Sequence, residues 1–331
     1  KTTSINFNPS PKPLDMRTLH RVTLTLATPL GTPLAGDTLF GQLCWALREA
    51  KGEAELTRQL DGYTQGQPWL VVSDGFPANH LPKPSVPQHF EPQRDPALRK
   101  AAKKNRWIPC THSGKPLASL LASAKSDAEA YGAAPHHAIQ AHNTLNRLTG
   151  TTGKDEFAPY TQPQLVHAAG QRIDLYLHVD KDRIAPAEVG CLLGAIGTIG
   201  FGRDASTGLG KFRVERCEPM HWVASADANA YWTLAPCAPQ GQGFDGEKSY
   251  WRMLTRFGRH GNAHALAGQP FKTPVLLAAT AAVFVPSAGY TPRSFIGQGL
   301  GDHGRLSKTE AATVQQGYAP VVPIRMETLA L

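Results

Sequence analysis

The chain of 331 residues is about two domains long at roughly 150 residues per domain. With 41% apolar and 18% charged residues it is too apolar to be disordered in bulk, and its 31 glycines and 27 prolines exclude a helical bundle in favour of a turn-rich fold. Lys and Arg outnumber Asp and Glu by 34 to 26, and the net charge of +8 favours a polyanionic partner.

The opening KTTSINFNPSPKPLD has no apolar stretch and reads as a polar arm rather than a leader, which places the protein in the cytoplasm as an expectation. From Leu19 to Ala27, Val22, Leu24 and Leu26 alternate with Arg21, Thr23 and Thr25, the period of a half-buried strand. Asp37 is then placed to cap a helix whose stripe is Leu39, Phe40, Leu43, Ala46, Leu47 and Ala50, with Trp45 also assigned to the core. Trp69 to Ser73 is a second strand, after which the pattern lapses until Arg172 to Val179, where Ile173, Leu175, Leu177 and Val179 alternate with polar residues. Pro186 opens a second helix through Ile199, with Gly190, Gly194 and Gly197 allowing close packing. Lys211 to Cys217 is a fourth strand, with Phe212 and Val214 on one face.

The order β-α-β-β-α-β predicts an α+β protein with a ferredoxin-like, RRM-like unit over 17–218, its helices on one sheet face and the other face open. A segment of about 79–170 is inserted between strands two and three. It carries Lys83, Arg94, Arg99, Lys100, Lys103, Lys104, Arg106, Lys115, Lys125, Arg147 and Lys154 against Glu91, Asp95, Asp127, Glu129, Asp155 and Glu156, together with seven of the 13 histidines. Most of the charge excess therefore sits in one insertion, suited either to nucleic acid or simply to a solvated surface. The second helix ends in GTIGFGRDASTGLGKF, where Gly200, Gly202, Gly208 and Gly210 let backbone N–H groups approach a phosphate and Arg203, Ser206, Thr207 and Lys211 add donors. The loop is neither a Walker A loop nor a dinucleotide fingerprint, because Ala205 stands where the first glycine belongs and the loop leads into a strand. No cofactor is predicted. Five cysteines without a C-x-x-C pair signal neither a disulfide framework nor a zinc cage, and the eleven-residue apolar run Val275 to Val285 is short of the roughly 20 that span a bilayer.

Several ordered blocks look familiar together: TPLAGDTLFGQLCWAL at 32–47, VVSDGFPANHLPKP at 71–84, KKNRWIP at 103–109, HNTLNRLTGTT at 142–152 and the glycine-rich loop after the second helix. They resemble the RAMP superfamily, and more narrowly the subunit family that caps the 5′ end of the guide RNA in type III CRISPR effector complexes, the fourth subunit of the Csm complex. The resemblance implies two ferredoxin-like halves, the second degenerate and spanning 219–331, which hold the repeat-derived 5′ handle of CRISPR RNA without catalysis. Carried over by position, the RNA contacts would be Gly200, Gly202, Arg203, Ser206, Thr207, Gly208, Gly210 and Lys211 in the loop, Lys83 in LPKP, and His142, Asn143 and Arg147 in the insertion. The implied partners are the guide RNA, the large polymerase-cyclase subunit and the helical-backbone RAMP subunit. The match thins after Cys217, where Ala281 and Ala282 replace an expected Gly-Ser pair, although QQGYAPVVPIRM at 315–326 is similar to the family's last strand.

Two other classes stay open on the residues alone. His20, His136, His137, His142, Tyr131 and Tyr176 are candidates for acid-base cleavage of precursor RNA. Alternatively, the basic insertion serves a protein-interaction scaffold. His136, His137 and His142 lack metal-ligand spacing, Asp155 and Glu156 are adjacent and make no two-metal site, Trp107 is read as core, and Tyr160 as a base-stacking candidate.

Overall fold

The computed structural model describes residues 17–92, 100, 102–223, 225, 227–261, 264–265, 269–301 and 304–327. The polar arm before residue 17 and the charged residues Arg94, Asp95 and Arg99 lie outside them. Strand β1 (Arg17–Leu26) is followed by helices α1 (Gly36–Lys51) and α2 (Glu53–Leu60), then by β2 (Leu70–Val72) and β3 (Phe76–Pro77). The insertion supplies β4 (His80–Pro82), β5 (Trp107–Pro109), the short helices α3 (Leu117–Ala122) and α4 (Asp127–Tyr131), and the strand pair β6 (His136–His142) and β7 (Tyr160–Val166). β8 (Arg172–Asp180), α5 (Pro186–Ile199) and β9 (Phe212–Pro219) complete the first half. The second half holds β10 (Ala230–Thr233), β11 (Met253–Arg256), β12 (Val275–Ala278), β13 (Val283–Phe284), β14 (Phe295–Gly301) and β15 (Val314–Ile324), with no α-helix among its described residues.

The first sheet runs β2-β8-β1-β9, with β3 also on β8 and every neighbour antiparallel. Period-two alternation sends Val22, Leu24, Ile173, Leu175 and Phe212 to one face, where Leu39, Phe40 and Leu43 of α1 and Val189, Leu193 and Ile196 of α5 complete a dry core. The second sheet runs β13-β10-β15-β14, and β11 pairs with β12 as a separate hairpin. The cores are shared: Tyr318 of β15 joins the first core, and a second cluster unites Leu19 and Tyr176 with Leu81, Ile108 and Leu120 of the insertion and Trp232, Val322 and Ile324 of the second half. No helix among the described residues is long and apolar enough to cross a membrane.

The mixed α+β class holds, with small corrections. Ala35, not Asp37, is the N-cap of α1, and Asp37 lies in the first turn, where its carboxylate meets Arg256. Of the three α5 glycines only Gly197 is sterically required, since a Cβ there would sit 2.2 Å from the Phe212 carbonyl oxygen, whereas one at Gly194 would meet open space. Phe40 is buried but Trp45 is half-exposed, between His264 and Arg48. The apolar run Val275 to Val285 divides into β12 and β13 around Ala281, whose φ of 71° is a turn conformation.

Candidate nucleic-acid interface

The loop at 200–211 is fastened by backbone geometry. Gly200 (φ 121°), Gly202 (φ 78°), Gly208 (φ 97°) and Gly210 (φ 74°) all occupy positive-φ conformations that residues with a Cβ adopt at a cost. At Gly210 a Cβ would also lie 2.1 Å from the Phe201 carbonyl oxygen, and at Gly200 it would lie 2.4 Å from that of Leu209. These glycines therefore serve the loop's own packing. Gly208 differs: a Cβ there would meet nothing within 4 Å, so its face is open.

Two segments hold this loop. The Gly210 N–H donates to the Pro29 carbonyl at 2.8 Å, and the Arg203 and Lys211 N–H groups donate to the hydroxyls of Thr32 (3.0 Å) and Thr28 (2.9 Å). The Arg203 guanidinium donates to the Pro163 carbonyl on β7 at 2.5 Å and lies 3.2 Å from Asp204. Leu30 bridges Leu165 of the same strand, so glycine-rich loop, 28–32 turn and β6–β7 hairpin form one assembly. Ser206 and Thr207 are exposed on it, and Lys211 is half-buried. Thr28 and Thr32 were missed in the sequence because a threonine in a Pro/Gly turn carries no signal of what it will cap.

The hairpin extends away from this base. His142 pairs with Tyr160 at its far end, and the rings stack with centroids 5.2 Å apart and planes 13° from parallel. Asn143 and Arg147 follow in the exposed connection, with Leu148 97% and Ile139 73% exposed. His142 lies three residues beyond Ile139, the partner of Pro163, so about 10 Å of strand separates it from the Arg203 contact. Arm and loop are thus joined, and their exposed groups are spread along one path.

Other candidates are placed elsewhere. Lys83 is joined to Glu91 at 2.6 Å in a half-buried pair, beside the β4–β5 ladder rather than at the loop. His20 is buried, bonds to Thr18 at 2.9 Å, and has its pKa lowered by burial. The fully buried Tyr176 hydroxyl meets the Cys110 sulfur at 2.9 Å, and burial drives both groups' pKa values up, the thiol to about 12. Tyr131 packs edge-on against Trp107 and His167, and the Trp107 indole donates to Asp127 at 2.7 Å, so both serve packing. His136 and His137 stand at the start of β6, six and five residues from His142 and so roughly 16–20 Å from it along the strand. Among the described residues no three metal-binding side chains come together. Of the acid-base candidates, then, only His142 has a second aromatic donor, Tyr160, stacked on it.

No family model and no curated protein matches this chain by sequence. Solved structures do match. A chain of a Csm1-Csm4 cassette in complex with pppApA superposes with a TM-score of 0.56 at 15% identity, covering 93% of this chain and 99% of that one. A chain of the same kind of cassette in complex with cA4 gives 0.55 at 15% identity, over 94% and 99%. A chain of the Csm3-Csm4 subcomplex of the type III-A CRISPR-Cas interference complex gives 0.56 at 10% identity, over 93% and 100%. Csm4 is named in all three assemblies, and across nearly its whole length the chain shares the fold of the chains it matches in them.

Proposed function

We propose that this protein is the guide-RNA-gripping subunit of a type III CRISPR effector complex, holding the repeat-derived 5′ handle without cutting it. The first sheet and its two helices are then a ferredoxin-like unit carrying the basic insertion, and the second sheet is its degenerate counterpart. The observation that carries the reading is the joint assembly of glycine-rich loop and insertion hairpin through Arg203 and Pro163, with Ser206 and Thr207 exposed on the loop and Asn143 and Arg147 at the hairpin's end. Hydroxyl and guanidinium donors on a backbone-rich loop suit phosphates, while the His142–Tyr160 stack is an aromatic platform for a base. By fold, its protein partners are the counterparts of Csm1, the large polymerase-cyclase subunit, and Csm3, the helical-backbone RAMP subunit.

The test is an RNA assay on the purified chain with handle, scrambled and DNA oligonucleotides at two salt concentrations. Handle-selective binding that weakens with salt and leaves the RNA intact is expected, because each phosphate contact lowers affinity as salt rises. Arg203→Ala with Lys211→Ala lowers that affinity about tenfold while the fold survives; equal affinity in the double variant removes the loop from the site. The stacked His142–Tyr160 pair favours one second reading, metal-independent cleavage of precursor RNA. Cleavage by the pure chain that His142→Ala abolishes would establish it, and a chain that binds no RNA would be a protein-interaction scaffold.

A further inference from the structure

The face of the first sheet turned away from the helices has its own charge pattern: Tyr176, Asp174 and Thr23 are buried, Tyr176 in the second core, while Arg172, Arg213, Glu215 and Arg216 are exposed. Antiparallel register sets three rows across β8, β1 and β9, and each row points away from the helices: Arg172, Thr25 and Arg213; Asp174, Thr23 and Arg216; Tyr176, Arg21 and Glu218. A bulge between Thr23 and Leu24 adds Glu215 to the same face, where the Thr25 hydroxyl bonds it.

Its carboxylates are committed to internal partners. Asp174 is 1% exposed and accepts from the Thr23 hydroxyl and the Asn79 N–H, both at 2.8 Å. Arg21 holds Glu218, whose pKa is lowered chiefly by that bond, with Arg216 adding to the effect, and Arg21 also donates to Asn79 at 2.9 Å. Glu215 is taken by Thr25 and stands 3.9 Å from Arg172. Arg213 and Arg216, both exposed, form no ion pair or hydrogen bond among the described residues, and the side chain of Arg172 is 57% exposed.

The row begins where the glycine-rich loop ends. Lys211 precedes β9 directly and its carbonyl accepts from the N–H groups of Ala27 and Thr28 at the end of β1. Because Phe212 and Val214 turn into the core, Lys211 and Arg213 share the side turned away from the helices.

We infer that single-stranded RNA leaving the glycine-rich loop continues along the exposed part of this face, its phosphodiesters bound by Arg213, Arg216 and Arg172. The inference rests on the RNA-gripping reading and extends the site onto residues outside the loop and the insertion. Charge complementarity identifies the occupant: the exposed excess is guanidinium, whose planar donor fork suits phosphate oxygens.

The experiment measures affinity of the full chain for a ladder of single-stranded RNAs of increasing length at several salt concentrations, comparing wild type with Arg213→Ala/Arg216→Ala. Lys181→Ala, in the turn after β8 at the far end of that strand, is the control for lost charge. For the longer RNAs the double variant is expected to bind at least tenfold more weakly, with a log–log salt slope smaller by about 1.4, or about 0.7 for each lost single-strand phosphate contact. The shortest RNAs and the control are unaffected. A wild type that gains affinity with length and a folded double variant that matches it overturn the inference while leaving the gripping reading in place. A wild type that binds no RNA overturns both. Retained RNA binding with lost binding of poly-glutamate in the double variant reassigns the face to an acidic protein partner and overturns the inference as well.

Discussion

The loop-and-hairpin assembly and the junction between the two halves both depend on charged residues, and they use them in opposite ways. In the first, charges are exposed and the backbone fixes the shape: Arg203 and Lys211 act through their N–H groups as much as through their cations. In the second, charges are taken out of water. Asp37 is 2% exposed and accepts two bonds from Arg256 of β11, at 2.7 and 3.0 Å, with Gln315 of β15 at 3.5 Å. Asp74 beside it is half-buried and accepts from the Gly36 N–H at 2.7 Å and from the Thr280 hydroxyl. The lesson is that charge in the sequence marks a ligand site only where the fold leaves it in solvent; the same residue types, buried, join halves of the molecule.

That contrast is broken most severely at Arg256. Arg256→Met leaves the Asp37 carboxylate buried without its partner and costs about 3–5 kcal/mol in urea unfolding, the range for orphaned buried ions. Asp37→Asn in the same chain restores most of it. Full stability in Arg256→Met would show that the pair does not join the halves. Gly210→Ala probes the other region: its positive φ and the 2.1 Å approach to Phe201 force the loop to move, so RNA affinity falls at least tenfold. Gly208→Ala meets only the conformational penalty, about 1 kcal/mol, because its Cβ faces open space. Equal effects of the two substitutions on binding would remove close packing as the explanation.

Asp74 sharpens the comparison through pH. Burial raises its pKa to about 7 despite the bonds from Thr280 and Gly36, with Asp37 adding to the rise and Arg256 opposing it. A carboxyl whose folded pKa lies above its unfolded value stays protonated longer in the native state, so its contribution is largest at low pH. It is lost as pH rises from the unfolded value near 4 to about 7, and is level above. Asp74→Asn, whose Oδ1 still accepts from the Gly36 N–H and whose amide N–H donates to the Thr280 hydroxyl in place of the present bond, is expected to remove this decline. The difference in stability between variant and wild type grows with pH by at most about 1.4 kcal/mol per unit within that window, and a difference independent of pH would show that Asp74 ionises normally.

Most of the first half was legible because period-two and helical spacing report burial, and burial is what β1, β8, β9, α1 and α5 were selected for by their alternation of apolar and polar side chains. The glycine-rich loop was legible by composition, though its glycines serve the loop's own packing more than an approaching phosphate. The insertion was less so. The strands β4, β5, β6 and β7 are short or exposed on both faces, as His136–His142 shows, and an exposed strand carries no alternation to read. Asp37 looked like a helix cap because a cap and a buried ion-pair partner share the same residue type at the same end of a helix, and only the distant Arg256 separates the two. Arg213 and Arg216 escaped notice because the one-residue bulge at Glu215 breaks the alternation between them.

The smallest expected effect tests the sequence departure at Ala281. This residue has φ 71° in the turn between β12 and β13, where its N–H donates to the Thr233 carbonyl at 2.9 Å and its own carbonyl accepts from Ser85 at 2.8 Å. A side-chain-bearing residue in that conformation costs about 1–2 kcal/mol, which a glycine does not incur. The Ala281 methyl is 4% exposed within the second core cluster, so removing it gives back part of that gain by the roughly 0.8 kcal/mol of one buried methyl group. Ala281→Gly is therefore expected to raise unfolding stability by a few tenths of a kcal/mol to about 1 kcal/mol. A clear loss of stability would mean that core packing of the methyl outweighs the backbone strain, and that the alanine here is retained for the interface between insertion and second half.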